Sequence, residues 1–320
     1  MTRAIVDQDI TPTDRLLNGL PDDWDVTVGL DSEEATLRTE LPSYDVALVT
    51  SRVPLTRAVL ERATDLDLIG KLGTGIDSID LDAAREQGIT VTHTPGHNAL
   101  SVAEHALGLT LATARRLPTA GELIAERRWR AEYPLGTRIS GSTVGIVGFG
   151  NVGKRVGMLF SGFDVDRLVA DPYVPSIDAE LAHGRQTDLE TLLESSDVVI
   201  LTPELTDETR GLIGAAELDR MREDALLINV SRGPVVEQAA LVDAIESGTI
   251  GGAGLDVFES EPVPADSSLQ DLDNVVLTPH IAAMTSECRA GNIDQLAANV
   301  TRLFDGESIL ERYVAVEARS

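Results

Sequence analysis

Six residues constrain this chain more than any others: Gly148-Phe149-Gly150-Asn151-Val152-Gly153. They form a G-x-G-x-x-G turn directly after the apolar run Thr143–Val147 and ahead of a helical pattern starting near Val152. Between a strand and a helix, this turn is a dinucleotide-binding signature. The first glycine permits the tight turn, the second lets backbone approach a pyrophosphate, and the third lets the helix pack on the strand. The helix N-terminus then presents unpaired N–H groups and a partial positive charge to the phosphates. The next candidate strand, Leu168–Ala170, ends at Asp171, 18 residues after Gly153. An acid there accepts from a ribose hydroxyl and repels a 2′-phosphate, so NAD is favoured over NADP. Asp171-Pro172 is also a turn signal in its own right.

The rest of the chain falls into the same rhythm of short apolar runs and amphipathic stretches, which predicts α/β structure with parallel strands. A length of 320 residues suggests two domains. Candidate strands of a first series are Ala4–Val6, Val26–Val28, Val46–Thr50, Leu66–Leu72 and Ile89–Thr92, with helical patterns such as Leu55–Ala63 and Leu81–Gln87 between them. A second series comprises Val144–Val147, Leu168–Ala170, Val198–Leu201, Ala225–Val230, Gly252–Val257 and Val275–Thr278. Ser101 and Glu104 read as a capping box opening an apolar helix that runs to about Arg116, with Pro118 beyond it. The stretch after Ala283 is too short for a domain, so it is expected to pack back on the first series. The expected architecture is two doubly wound parallel-sheet domains: a Rossmann cofactor domain (99–284) inserted into a discontinuous, flavodoxin-like substrate domain (1–98 plus 285–320).

Charge excludes several functions. The chain carries 53 acidic and 26 basic residues, a net charge of −27. Such a chain repels nucleic acid and anionic membranes. Disorder does not fit, since apolar residues are spread throughout and the acids form no long block. A dense acidic shell suits concentrated salt, where the Debye length falls to about 3 Å and self-repulsion is screened. Lys71 and Lys154 are the only lysines, and scarce lysine reduces exposed hydrocarbon. A halophilic protein is the expectation, with an ordinary acidic enzyme as the alternative. A lone cysteine, Cys288, rules out an intrachain disulfide and a cysteine-rich zinc module, and no metal site is expected. The reduced thiol and the lack of a signal peptide or spanning segment point to the cytoplasm.

Three groups stand at or just past strand ends, where open α/β sheets place ligands. They are Asn229-Val230-Ser231-Arg232-Gly233, Asp256-Val257-Phe258-Glu259-Ser260-Glu261-Pro262 and Thr278-Pro279-His280-Ile281-Ala282-Ala283. Hydride chemistry on a 2-hydroxy acid needs an arginine to clamp the substrate carboxylate. It needs an acid/base near neutrality for the hydroxyl proton, and a carboxylate to orient that group. Arg232, His280 and Glu261 fill these roles in that order.

With these groups in place, the chain resembles the D-isomer-specific 2-hydroxyacid dehydrogenases over nearly its whole length. The resemblance also rests on Lys71-Leu72-Gly73-Thr74-Gly75-Ile76-Asp77 and on His97-Asn98-Ala99-Leu100-Ser101-Val102-Ala103-Glu104. It is strongest to the phosphoglycerate dehydrogenase and glyoxylate/hydroxypyruvate reductase branch. The resemblance implies two domains, cleft closure, NAD(P) use and homodimers joined through the cofactor domains. It implies catalysis by Arg232, Glu261 and His280, with main-chain groups from Leu72 through Gly73, Thr74 and Gly75 to Ile76 holding the substrate carboxylate. Thr74, Asn151, Val152, Asp171, Thr202, Pro203, Val230, Ser231, Asp256 and Ala282 fall where the family contacts its dinucleotide, Asp256 at the nicotinamide amide.

Departures narrow the substrate. Phosphoglycerate dehydrogenases commonly carry Arg-Ser-Arg where this chain has Thr50-Ser51-Arg52, so one phosphate partner is lost while Arg52 remains. Thr202 and Glu204 replace a histidine and a proline common in the family, on the adenine side. Glu261 before proline disfavours the formate dehydrogenase branch, which carries glutamine there. The expected activity is NAD-dependent reduction of a small 2-keto acid, with hydroxypyruvate or glyoxylate ahead of the 3-phosphoglycerate couple. An NAD(H)-sensing, corepressor-like binding protein is the alternative of another class.

Overall fold

The computed structural model describes residues 1–317. They form two compact units, Met1–Asn98 together with the chain from Met284 onward, and Ala99–Ala283.

The first unit is built on β1 (Arg3–Asp7), β2 (Asp25–Leu30), β3 (Val46–Val49), β4 (Leu68–Lys71) and β5 (Thr90–His93). These strands are parallel, in the order β2-β1-β3-β4-β5. All four residues of β3 and all four of β4 are buried, so β3 reads as a continuous apolar run rather than an alternating one, while β4 ends in the buried Lys71.

The second unit carries β6 (Thr143–Val147), β7 (Asp166–Ala170), β8 (Arg185–Gln186), β9 (Val198–Leu201), β10 (Leu226–Asn229), β11 (Gly252–Leu255) and β12 (Val275–Leu277). All are parallel, in the order β8-β7-β6-β9-β10-β11-β12. Strand order reverses at β6, so the crevice beyond its C-terminal end is the switch point where such sheets bind ligands. The turn Gly148–Gly153 occupies that position.

The chain then returns to the first unit. Helix Ser286–Phe304, capped by the Thr285 hydroxyl accepting from the Cys288 N–H at 3.2 Å, buries Cys288, Ile293, Leu296, Ala297 and Val300 on one face. It packs on β4 so closely that a Cβ at Gly70 would lie 2.6 Å from Val300 and 2.9 Å from Leu296. A last strand, β13 (Val314–Val316), pairs antiparallel with β5.

Four sequence expectations need correction. The first sheet is mixed, not wholly parallel, because β13 closes its edge in the opposite sense. The second sheet gains β8, whose Arg185-Gln186 pair offers no apolar run to read. The apolar helix spans Ala99–Ala114, so Ser101 lies inside its first turn and is not the N-cap. Arg116, at φ +46°, breaks the chain direction, and Pro118 opens a new helix, Leu117–Ala125, a position that suits its missing N–H. Among the described residues, no helix is long and apolar enough to cross a membrane, and no cluster of three His, Cys, Asp or Glu could hold a metal.

Candidate active site

The glycine turn is shaped by close backbone approach. Gly148 has φ +83°, and a Cβ there would lie 2.6 Å from the Pro203 nitrogen. A Cβ at Gly153 would lie 2.2 Å from the Gly148 carbonyl oxygen, whereas one at Gly150 would meet nothing within 4 Å. Two glycines are thus required by packing, and Gly150 leaves open space at the mouth of helix Asn151–Leu159. The Thr202 hydroxyl donates to the Gly148 carbonyl at 2.6 Å, so Thr202 and Pro203 brace the turn from the end of β9. This cradle fits a pyrophosphate: the first amides of the helix have no partner within it, and no side chain stands at Gly150.

Asp171, at the end of β7, accepts from the glycine turn and from its own Asp-Pro turn. Its Oδ2 accepts from the Phe149 N–H at 2.7 Å and its Oδ1 from the Tyr173 N–H at 2.8 Å. It ties the glycine turn to its own Asp-Pro turn, and each oxygen keeps a lone pair for a further donor. Gln186 on β8 donates to the Asp171 and Val174 carbonyls at 2.9 and 3.1 Å. That support was not legible from the sequence.

On the other side of the switch point, β10 ends in a turn organised by Asn229, which is 1% exposed. Its Oδ1 accepts from the Ser231 N–H and hydroxyl at 3.0 and 2.9 Å, and its amide donates to the Arg232 carbonyl at 3.1 Å. Val230 and Ser231 are buried beside it. A Cβ at Gly233 would lie 1.8 Å from the Phe258 carbonyl. Only glycine lets the Arg232 turn press against the segment leading to Glu261.

Glu261 accepts from the Phe258 N–H at 3.0 Å through Oε1, and its Oε2 lies 2.7 Å from His280 Nδ1. Burial raises its pKa, but the His280 contact, that N–H and the nearby Arg232 charge outweigh it, so Glu261 is held below the usual carboxylate range. An ionised carboxylate only accepts, so His280 Nδ1 carries the proton of this contact and Nε2 is the atom left for exchange. Both side chains remain accessible, 44% for His280 and 36% for Glu261.

His280 itself sits at φ +54°, a region that costs a residue with a side chain about 1–3 kcal/mol. Asp256, 1% exposed, holds that turn. Its Oδ1 accepts from the Thr278 hydroxyl at 2.6 Å and the Ile281 N–H at 2.9 Å, and its Oδ2 from the Ala282 N–H at 2.9 Å. Burial again pushes upward, but these donors together with His105 carry Asp256 below its ordinary pKa. The Asp256 side chain therefore anchors the loop that presents His280 and Ala282.

Besides Arg232 and His280, the residues singled out for substrate lie on the first unit. The Leu72 and Gly73 amides are already used, donating to the Val49 carbonyl at 2.8 Å and the Thr94 hydroxyl at 2.7 Å. The amides of Thr74 and Gly75 have no partner among the described residues. His93 Nδ1 lies 2.9 Å from the Thr74 carbonyl, and the Thr74 hydroxyl donates to Asn98 at 3.0 Å. Arg52 is drawn inward: it pairs with the fully buried Asp7, donates to the Leu30 carbonyl at 2.8 Å and lies 3.2 Å from the Asp9 carboxylate.

The doubly wound sheet and its glycine turn define a dinucleotide-binding α/β protein. Residues 107–282 match the family model described as D-isomer specific 2-hydroxyacid dehydrogenase, NAD binding domain. The chain belongs to that family, and its second unit is an NAD-binding domain. It is 40% identical over 272 residues to a D-3-phosphoglycerate dehydrogenase of Archaeoglobus fulgidus, covering 85% of this chain and 51% of that one. It is 38% identical over 260 residues to a hydroxypyruvate reductase of Thermotoga maritima, covering 80% of this chain and 84% of that one. The chain thus spans about half the length of the phosphoglycerate dehydrogenases it matches and most of the reductase. Among solved structures, the NAD-dependent formate dehydrogenase of Staphylococcus aureus in complex with NAD superposes with a TM-score of 0.89 at 27% identity, covering 99% and 100% of the two chains.

Proposed function

We propose that the protein is an NAD-dependent D-2-hydroxyacid dehydrogenase working as a reductase of a small 2-keto acid, hydroxypyruvate or glyoxylate. The 2.7 Å His280–Glu261 contact beside Arg232, on the sheet that carries the glycine turn, is the observation that carries this reading. The Gly148–Gly153 turn, with Asp171 at the ribose and Val230, Ser231, Asp256 and Ala282 toward the nicotinamide, would hold NAD in preference to NADP. NADH held there would supply the hydride for the carbonyl carbon. Arg232 clamps the substrate carboxylate. His280 Nε2 gives its proton to the carbonyl oxygen and takes it back in the reverse direction. Glu261 holds the ring and offsets the imidazolium charge.

The inward pairing of Arg52 and the presence of Thr50 favour an unphosphorylated acid. NADH oxidation in molar KCl against glyoxylate, hydroxypyruvate, pyruvate and phosphohydroxypyruvate tests this. Preference for an unphosphorylated acid supports it. Preference for phosphohydroxypyruvate moves the assignment to D-3-phosphoglycerate dehydrogenase, with Arg52 as a phosphate ligand. NADH binding with no turnover on any acid points instead to a dinucleotide-sensing protein.

We place the protein in the cytoplasm as a homodimer of halophilic character. The buried free thiol of Cys288 suits a reducing compartment. Leu117, Ile124, Trp129 and Leu135 are all more than half exposed along one short segment of the NAD-binding unit, apolar surface that a second copy would cover. Trp129→Asp should give monomers in light scattering. The net charge of −27 predicts a melting temperature that rises with KCl up to molar concentrations; maximal stability in dilute buffer would contradict it.

A further inference from the structure

We propose that His105 is a positioning residue for His280: it donates its Nε2 proton to the Thr278–Asp256 pair that anchors the turn carrying the catalytic imidazole. Its catalytic readout rests on the reductase reading above. His105 projects from helix Ala99–Ala114 and its side chain is 21% exposed. Its Nε2 lies 3.0 Å from the Thr278 hydroxyl oxygen and 3.3 Å from Asp256 Oδ1.

The proton count assigns its tautomer. The Thr278 hydroxyl gives its own hydrogen to Asp256 at 2.6 Å, so its oxygen offers His105 only lone pairs. Asp256 is ionised and only accepts. Both neighbours being acceptors, His105 Nε2 is the protonated nitrogen.

The consequence reaches His280 through main chain. The Ile281 and Ala282 amides that Asp256 receives directly follow His280. The His280 N–H in turn donates to the Asp256 carbonyl at 2.8 Å and the Thr278 carbonyl at 3.0 Å. Backbone at φ +54° persists only where its surroundings over-determine it. His105 supplies a donor to a buried carboxylate, where loss of one partner is felt most. It thereby fixes the height and direction of the imidazole without touching substrate.

The test compares three variants. The glutamine amide nitrogen reaches the place of imidazole Nε2, whereas asparagine reaches only that of Nδ1. His105→Ala and His105→Asn should lower kcat about tenfold, as loss of roughly one hydrogen bond does, with the KM for the keto acid near that of the parent. His105→Gln should recover most of kcat. An activity-independent arm uses ¹³C-labelled histidine, since the chain has only five. The His280 signal, identified by its loss in His280→Ala, should move in the alanine and asparagine variants and return in the glutamine variant. An unchanged His280 signal in folded His105→Asn, or equal impairment of all three variants, overturns the proposal. If the parent turns over no acid, the reductase reading fails and the NMR arm still decides this one.

Discussion

Two histidine–carboxylate pairs stand within the same unit, and burial divides their work. In the His280–Glu261 pair both side chains are more than a third exposed, and the carboxylate takes one backbone amide. In the His105–Asp256 pair the carboxylate is 1% exposed and takes two backbone amides and a hydroxyl. The first pair is open to solvent, so in the proposed reaction it can change its protonation. The second cannot do so without leaving buried donors unpaired, a cost of about 1–3 kcal/mol each. Under the proposed function, one pair moves a proton while the other holds a backbone.

The largest effects should separate the two roles. His280→Ala removes the group proposed to exchange the substrate proton and should lower kcat about 10²–10⁴-fold, with the melting temperature and NADH affinity near the parent. Activity within about tenfold of the parent, a difference of only about 1.4 kcal/mol, would show that another group transfers the proton. Asp256→Asn should do the reverse in stability. An amide nitrogen facing the Ala282 or Ile281 N–H sets donor against donor, and chemical denaturation should show a loss of about 2–3 kcal/mol. Glu261→Gln should cost about tenfold to a hundredfold in kcat, the worth of one charge-assisted hydrogen bond, with little change in denaturation midpoint. A stability loss in Glu261→Gln as large as that in Asp256→Asn would erase the distinction.

The sequence showed the two pairs unequally, for a physical reason. The glycine turn, Asp171 and the strand-end groups holding Arg232, Glu261 and His280 are local patterns, each complete within a few residues, so spacing alone exposes them. The parallel sheets follow from the same local rhythm. What was hidden depends on contacts far apart in sequence. His105 meets Asp256 and Thr278 from a helix more than a hundred residues away and reads as just another of the scattered polar residues in a largely apolar helix. Gly233 looks like any turn glycine until Phe258 closes on it. Leu72 and Gly73 lie in a glycine loop that predicts free amides, yet Val49 and Thr94 consume theirs, leaving Thr74 and Gly75. Strand β13 has three residues and no partner nearby in sequence.

The smallest expected effect sharpens the comparison by pH. Asp256 and Glu261 are both held below the ordinary carboxylate range in the folded protein. Such groups bind fewer protons folded than unfolded, so the stability they contribute is complete above their unfolded values, about pH 4, and drains away as pH falls through the folded ones. Many other carboxylates titrate in the same range, and their protonation also relieves the net charge of −27. The useful quantity is therefore the difference between parent and variant in molar salt, where general repulsion is screened. Between pH 6 and 3 the parent should lose more stability than Asp256→Asn, whose amide has no proton to take up. Glu261→Gln should show a smaller difference from the parent, because its carboxylate sits partly in solvent and rests more on a histidine that can turn away. Parallel melting-temperature profiles for the parent and Asp256→Asn would mean that the Asp256 anchor is no stronger in the folded state than in the unfolded chain. The left-handed turn at His280 would then owe its shape to packing around Ala282 rather than to the carboxylate beneath it.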